Sequence, residues 1–134
     1  MQRPFSFAGR FYLVVEDEYL AASSMVMALE DAGAEVAGPV SSVTGALTLV
    51  SERASELDAA ILDINLRGIM AHPVAERLAE QGIPFVVVTG YDCDSVPEPF
   101  SMMPCLNKPC DERELLTVLA GLPVRQPPGA RRSL

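Results

Sequence analysis

Cysteine and histidine are scarce in this sequence. Its three cysteines, Cys93, Cys105 and Cys110, are an odd number without a Cys-x-x-Cys pair, a pattern that favours reduced, structural thiols. The only histidine, His72, precedes a proline, and this dipeptide is typical of a helix start rather than of a ligand site. Whether the cysteines have a redox role is left open by the sequence.

Long apolar runs are absent as well. No run reaches the roughly 18 residues of a membrane span, and residues Met1–Phe5 lack the apolar centre of a signal peptide. We therefore predict a cytoplasmic protein that does not bind membranes.

Basic residues are few in the central part of the chain. All 18 acidic residues lie within residues 11–123, but only half of the ten basic residues do. A nucleic-acid partner requires clustered lysine and arginine side chains for its phosphates. Nucleic acid is therefore not expected as a partner.

The residues that are present favour one folded domain. The chain has 134 residues, of which 49% are hydrophobic, enough to bury a core. We predict an N-terminal arm over residues 1–10, a domain over residues 11–122 and a disordered tail over residues 123–134. The tail is rich in proline, glycine and arginine and is too short to be an output domain.

Short apolar runs alternate with amphipathic segments along the domain. The predicted strands are residues 11–15, 35–38 (ended by Pro39), 58–63, 83–88 and 105–107. Helices are predicted after Glu18, from Ser41 or Ser42, from His72 and from Asp111, whose side chain would form a capping box with Glu114. Three prolines between Asp92 and Pro104 permit at most one short helical turn. This alternation favours an α/β fold, a doubly wound five-stranded parallel sheet with helices on both faces and an irregular fourth helix.

Polar residues follow four of these strands. Glu16 and Asp17 come after the first strand, Asp63 ends the third, Thr89 ends the fourth and Lys108 follows the fifth. Functional groups of open α/β sheets collect at the carboxyl ends of the strands. We therefore expect these side chains to form one site.

Converging carboxylates repel one another unless a cation lies between them. Mg²⁺ takes few protein carboxylates and keeps several waters, which suits Asp17 and Asp63 as direct ligands. The backbone carbonyl of Asn65 is a candidate third ligand, and Glu16 would act through water. Lys108 would neutralise further negative charge beside Asp63.

An acid beside Mg²⁺, a lysine and a hydroxyl is equipped to accept a phosphoryl group. The cations screen the approach of an anionic donor, and the Asp63 carboxylate attacks the phosphorus in line. Thr89 would offer its hydroxyl to the anionic oxygens. The predicted product is an aspartyl phosphate.

Four motifs carry a resemblance to a known family. They are Val15-Glu16-Asp17-Glu18, Leu62-Asp63-Ile64-Asn65, Val88-Thr89-Gly90 and Asn107-Lys108-Pro109. In this order at strand ends, over residues 11 to about 121, the chain resembles the receiver domain of bacterial two-component response regulators. The resemblance implies a flavodoxin-like fold, with Asp63 as the phosphoacceptor, Thr89 as the switch hydroxyl and Lys108 as the family's site lysine. It also implies a sensor histidine kinase or phosphotransfer protein as the donor.

The chain departs from the family at its switch residue. Receivers usually have tyrosine or phenylalanine three residues before the lysine, where this chain has Cys105. Tyr91 is a candidate replacement, as a switch or as a gate to Asp63, the alternative being a plain surface tyrosine. The pair Pro84-Phe85 before Thr89-Gly90 also resembles a subgroup of stand-alone receivers that act without an attached output domain.

Three functions remain to be compared. We favour a signalling protein, a monomer or weak dimer, that catalyses only its own phosphorylation and dephosphorylation and docks a downstream signalling protein through residues 89–104 and the last helix. A receiver that binds partners without phosphorylation is one alternative. A small phosphatase with Asp63 as nucleophile is another, but Asn65 cannot be its general acid and no insertion is long enough for a substrate cap.

Overall fold

The sheet of this protein has five parallel strands with helices on both faces, as described by a computed structural model for residues 5–125. The strands are β1 (Phe11–Val15), β2 (Glu35–Val40), β3 (Ala59–Asp63), β4 (Phe85–Thr89) and β5 (Cys105–Asn107), in the order β2-β1-β3-β4-β5. The helices are α1 (Tyr19–Asp31), α2 (Val43–Arg53), α3 (His72–Glu80) and α4 (Glu112–Ala120). The predicted fold class is confirmed, and the strand order reverses beside β1 as in flavodoxin-like sheets.

Each face of the sheet is covered by two helices. Leu13, Leu62 and Val87 point to the face that α2 and α3 cover, and their chain neighbours Val14 and Ile61 point to the face of α1 and α4. Because both faces are buried, β3 and β4 are continuous apolar runs without alternation. The polar residues at the strand ends are therefore the ones that reach the edge of the sheet.

Two predicted helix starts are confirmed by their caps. The Ser42 hydroxyl accepts a hydrogen bond of 3.1 Å from the amide of Gly45 at the start of α2. Asp111 and Glu114 form the capping box of α4 in both directions. Such caps satisfy amide groups that have no partner inside the helix.

The second strand is longer than predicted. It continues through Pro39 to Val40, and the β1–β2 register shifts between Leu13 and Val15. Gly38 adopts a positive φ of 96° where the strand bends. Because β2 is an edge strand, Pro39 can lie in it without removing a hydrogen bond that the sheet needs. The Val40 carbonyl then accepts from the amide of Glu16 at 2.9 Å, which ties this edge to the acidic residues after β1.

We expect Gly38→Ala to destabilise the fold by about 2–4 kcal/mol. The added β-carbon would lie 2.8 Å from the Val40 amide nitrogen and 2.9 Å from the Val14 carbonyl oxygen, and the positive φ of Gly38 is a conformation that residues with a side chain disfavour. Gly82→Ala is the matched control, because Gly82 also has positive φ but no atom within 4 Å of the added carbon. It should lose only about 1–2 kcal/mol in urea unfolding. Equal losses in the two variants would contradict the role of the close approach.

The segment between β4 and α4 contains two 3₁₀ turns, where at most one was predicted. They are Cys93–Ser95 and Phe100–Met102. Asp92 caps the first turn through a hydrogen bond from the amide of Asp94, and Phe100 is fully buried with its ring 4.6 Å from that of His72. The helix predicted between the fourth and fifth strands is thus irregular, as expected, and is replaced by these two turns. Burial of the Phe100 ring explains the second turn.

The prediction of reduced thiols is wrong for two of the three cysteines. Cys93 and Cys105 form a disulfide, with Cα atoms 5.8 Å apart, and Cys110 is free. The pair is separated by twelve residues in sequence and is brought together because the first 3₁₀ turn lies beside the start of β5. Sequence spacing alone does not reveal that contact.

The ends of the chain are described only in part. Residues 1–4 and 126–134 lie outside the described region, and with them most of the predicted disordered tail. Arg125 donates hydrogen bonds to the Ala54 and Leu57 carbonyls. Within residues 5–125, no helix has the length and apolar character needed to cross a membrane.

Candidate functional site

The polar residues that were predicted to meet do so at the carboxyl edge of the sheet. Glu16, Asp63 and Thr89 are buried there, at 2%, 6% and 1% exposure. They lie where β1, β3 and β4 end, and Lys108 enters from the end of β5. A cleft of about 470 Å³ opens over this edge, and its lining includes Asp17, Asp63, Asn65, Thr89, Tyr91 and Lys108.

Lys108 contacts three carboxylates. Its Nζ lies 2.9 Å from Asp63 Oδ2, 3.0 Å from Glu16 Oε2 and 2.6 Å from Glu18 Oε1. Burial lowers the pKa of Lys108, but the three carboxylates outweigh burial and raise the pKa above its ordinary value. The ammonium is therefore charged and held against Asp63.

Glu18 is a site residue that sequence reasoning missed. Its position in the acidic run before α1 is the only signal in the sequence, and that run is also favourable at any helix start. The contact with Lys108 depends on how β1 and β5 are placed relative to each other, which the spacing of 90 residues does not indicate.

Glu16 is buried beside like charge. Its pKa is raised to about 7, first because burial disfavours the charged carboxylate and then through its contact with Asp63, while Lys108 and the Glu18 amide act in the opposite direction. Glu16 Oε1 lies 2.8 Å from Lys108 Nζ, an ion-pair contact that does not meet the geometry of a hydrogen bond. One ammonium thus faces three carboxylates, those of Glu16, Glu18 and Asp63.

The donor set fits a hard divalent cation. Glu16, Asp17 and Asp63 each present a carboxylate oxygen, and these three oxygens lie within 4.8 Å of one another. Oxygen ligands of this kind are those that Mg²⁺ takes in proteins. The resemblance to receiver domains likewise implies Mg²⁺ at this acidic pocket.

A small hairpin that was not predicted supports the acidic residues. Residues 65–66 pair with residues 69–70, and the turn has positive φ at both Arg67 (55°) and Gly68 (84°), as a two-residue hairpin turn of type I′ requires. The Arg67 amide donates to Asp17 Oδ2 at 3.0 Å. The Asn65 amide donates to Asp63 Oδ1 at 3.1 Å. Strands of two residues are too short to show a periodic pattern in the sequence, so this pairing was not predictable.

Tyr91 lies at the mouth of the cleft. Its amide donates to Thr89 Oγ1 at 3.0 Å, and its hydroxyl accepts from Asn65 Nδ2 at 3.1 Å. The side chain is 52% exposed. The side chain that was proposed as a switch or gate is therefore in contact with the segment that follows Asp63.

Comparison with known proteins agrees with this architecture. The profile of the response regulator receiver domain family matches residues 12–120. The solution structure of SdrG from Sphingomonas melonis Fr1 is 41% identical, with a TM-score of 0.72, and the match covers 87% of this chain and 97% of that one. No curated protein matches the chain.

Two further structures are similar. The BeF₃-activated conformation of SdrG, from Pseudomonas melonis Fr1, is 43% identical with a TM-score of 0.70, covering 84% of this chain and 95% of that one. A CheY-like receiver domain from Methylobacillus flagellatus is 28% identical with a TM-score of 0.71, covering 85% and 98%. The predicted signalling class is confirmed, and the phosphatase alternative is not favoured. The chain belongs to the response regulator receiver domain family, which acts in phosphorylation-dependent signalling with histidine kinases or phosphotransfer proteins.

Proposed function

We propose that Asp63 accepts a phosphoryl group from a sensor histidine kinase or phosphotransfer protein, and that the phosphorylated edge regulates binding of a downstream protein. The observation that carries this proposal is the position of the Asp63 carboxylate, at an open cleft, 2.9 Å from the Lys108 ammonium and grouped with two further acids. An isolated acid would lack the positive charge that an anionic donor requires.

The chain's own residues have separate parts in this reaction. A carboxylate oxygen of Asp63 forms the new bond to phosphorus as the bond from phosphorus to the donor nitrogen breaks, and the electron pair of that bond stays with the donor. Lys108 offsets the charge that gathers on the acidic residues. The Thr89 hydroxyl, whose oxygen accepts from the Tyr91 amide, keeps its own hydrogen to donate to a phosphoryl oxygen.

Glu16, Asp17 and Asp63 would hold Mg²⁺, together with the Asn65 backbone carbonyl. When bound, the ion would supply positive charge that stabilises the anionic transition state of phosphoryl transfer. The three carboxylate oxygens within 4.8 Å of one another support this assignment, since a cation would offset their mutual repulsion.

The first experiment is to incubate the full chain with acetyl phosphate and Mg²⁺ and to measure its intact mass. We expect a labile phosphoryl adduct that is lost when Mg²⁺ is removed with EDTA and restored when it is added back. Beryllofluoride, which mimics the phosphoryl group, should shift amide resonances near Asp63 and Thr89 only when Mg²⁺ is present. No adduct and no shift would favour binding of partners without phosphorylation.

We also propose that Tyr91 gates access to Asp63. Opening the gate breaks the hydrogen bond between the Tyr91 hydroxyl and Asn65. Tyr91→Phe removes one neutral hydrogen bond, worth about 0.5–1.5 kcal/mol. It should therefore speed phosphorylation by acetyl phosphate roughly two- to tenfold. Tyr19→Phe is the matched control, because Tyr19 is 81% exposed. Equal rates in both variants and the wild type would reject the gate.

The predicted docking surface includes exposed apolar side chains. Tyr91 is 52% exposed and Met102 is 72% exposed, and both belong to the segment that follows Thr89. We propose that phosphorylation changes the presentation of this segment to the downstream protein. Its few buried residues make the segment easier to move than the strands.

A further inference from the structure

The Cys93–Cys105 disulfide joins two segments that lead into the site. Cys93 comes four residues after Thr89, and Cys105 comes three residues before Lys108. The bond therefore lies at the position where the family usually has its switch aromatic. In the family this position has an aromatic ring that can rotate, whereas in this chain a covalent bond restrains the segment.

Other contacts close the same loop. The Lys108 amide donates to the Thr89 carbonyl at 2.8 Å, and the Asn107 side chain donates to the Tyr91 carbonyl. With the disulfide, the chain from Thr89 to Cys93 is attached at three points to residues 105–108, which are β5 and the residue after it. Tyr91 lies within this loop, so its backbone cannot move away from β5 while the bond is intact.

Little else holds the rest of the segment. Of residues 91–104, only Val96 and Phe100 are buried, and the segment contains no α-helix. Reduction would leave residues 91–95 attached by hydrogen bonds at their start and by Val96 at their end. Segments with few buried contacts open at low free-energy cost.

Both sulfur-bearing residues are half-buried rather than sealed in the core, and β5 is an edge strand. A dithiol can therefore approach the bond. One of its thiolates attacks a cysteine sulfur and forms a mixed disulfide, and the other cysteine leaves as a thiolate. The second thiol of the reagent then closes its own disulfide, so the protein gains two electrons and two protons and the dithiol is oxidised.

We propose that Cys93 and Cys105 are a redox modification site that takes dithiol or disulfide reagents and that sets how far the Tyr91 loop can move. The oxidised protein holds the loop against β5, and the reduced protein releases it. The effect on signalling rests on the proposed function of Asp63, but the restraint on the loop does not.

The test begins with a thiol count on the full chain, before and after treatment with dithiothreitol. The oxidised protein should have one alkylatable thiol, Cys110, and the reduced protein three. Burial, with a smaller contribution from Glu114, raises the pKa of the Cys110 thiol, so alkylation is done after unfolding. Three free thiols even after incubation with oxidised glutathione would overturn the proposal.

Amide hydrogen exchange then measures the restraint. Closing a loop of this length lowers the equilibrium constant for local opening on the order of one hundredfold. Reduction should therefore speed amide exchange in residues 91–95 by up to that factor and leave the exchange rates of β3 unchanged. The double variant Cys93→Ser/Cys105→Ser should behave like the reduced protein, and Cys110→Ser like the oxidised one. Equal exchange in both redox states would overturn the restraint.

Beryllofluoride with Mg²⁺ separates this proposal from the function of Asp63. We expect amide shifts in residues 91–95 to be larger in the reduced protein than in the oxidised one. Absence of any shift in either state, with exchange still dependent on the disulfide, would reject the function of Asp63 and keep the restraint. Equal shifts in both states would reject the link between the disulfide and signalling.

Discussion

Asp63→Asn should abolish the Mg²⁺-dependent phosphoryl adduct. The asparagine amide has nearly the shape of the carboxylate but no anionic oxygen to attack phosphorus, and it removes one of the three carboxylates that face one another. The fold should survive, because the change also relieves repulsion with buried Glu16. Intact mass after incubation with acetyl phosphate and Mg²⁺ is the direct measurement.

The matched control is Asp92→Asn. Asp92 is exposed on the loop beside the same cleft, and asparagine keeps the side-chain oxygen that caps the first 3₁₀ turn. This variant should form the adduct as the wild type does. An adduct that persists in Asp63→Asn, or that is lost in both variants, would refute Asp63 as the phosphoacceptor.

Lys108→Met should have the second large effect, on stability. It removes the ammonium that contacts Asp63 and Glu16 and leaves two buried carboxylates facing each other. Breaking a fully buried pair costs about 3–5 kcal/mol. Because Lys108 is 17% exposed, we expect about 2 kcal/mol, measured by urea unfolding without Mg²⁺.

Mg²⁺ should restore more stability to Lys108→Met than to the wild type. The variant has one positive charge fewer to repel the ion, and an ion that binds only the folded state adds to its stability. Arg113→Met is the control, since it removes an exposed positive charge from α4 and should change stability by within about 0.5 kcal/mol. An equal loss of unfolding free energy in both variants would contradict the role of Lys108. So would a stabilisation by Mg²⁺ that is no larger in Lys108→Met than in the wild type.

The sequence was informative wherever a pattern had one structural solution. β3 and β4 are apolar up to their last residue, as strands buried on both faces must be, and the sequence predicted each within two residues of its bounds. The carboxyl ends of parallel strands share one edge, so the meeting of Asp63 and Thr89 with Lys108 followed from their order in the chain.

Contacts between segments far apart in sequence were not predictable in the same way. Glu18 and Lys108 are 90 residues apart, and the Cys93–Cys105 pair joins an irregular turn to a strand of three residues. Neither contact has a periodic signal, because each involves one side chain rather than a face. The odd number of cysteines pointed away from the disulfide.

By itself, the sequence determined the alternation of strands and helices and the identity of the acids, hydroxyl and lysine at the strand ends. Local apolar patterns and chain order are sufficient for both. Only the tertiary structure decided that Lys108 contacts three carboxylates, that Tyr91 reaches Asn65 and that a disulfide holds the chain from Thr89 to Cys93 to β5. These contacts depend on distances of a few ångströms across the sheet edge, which arise only when the strands, turns and hairpin are packed together.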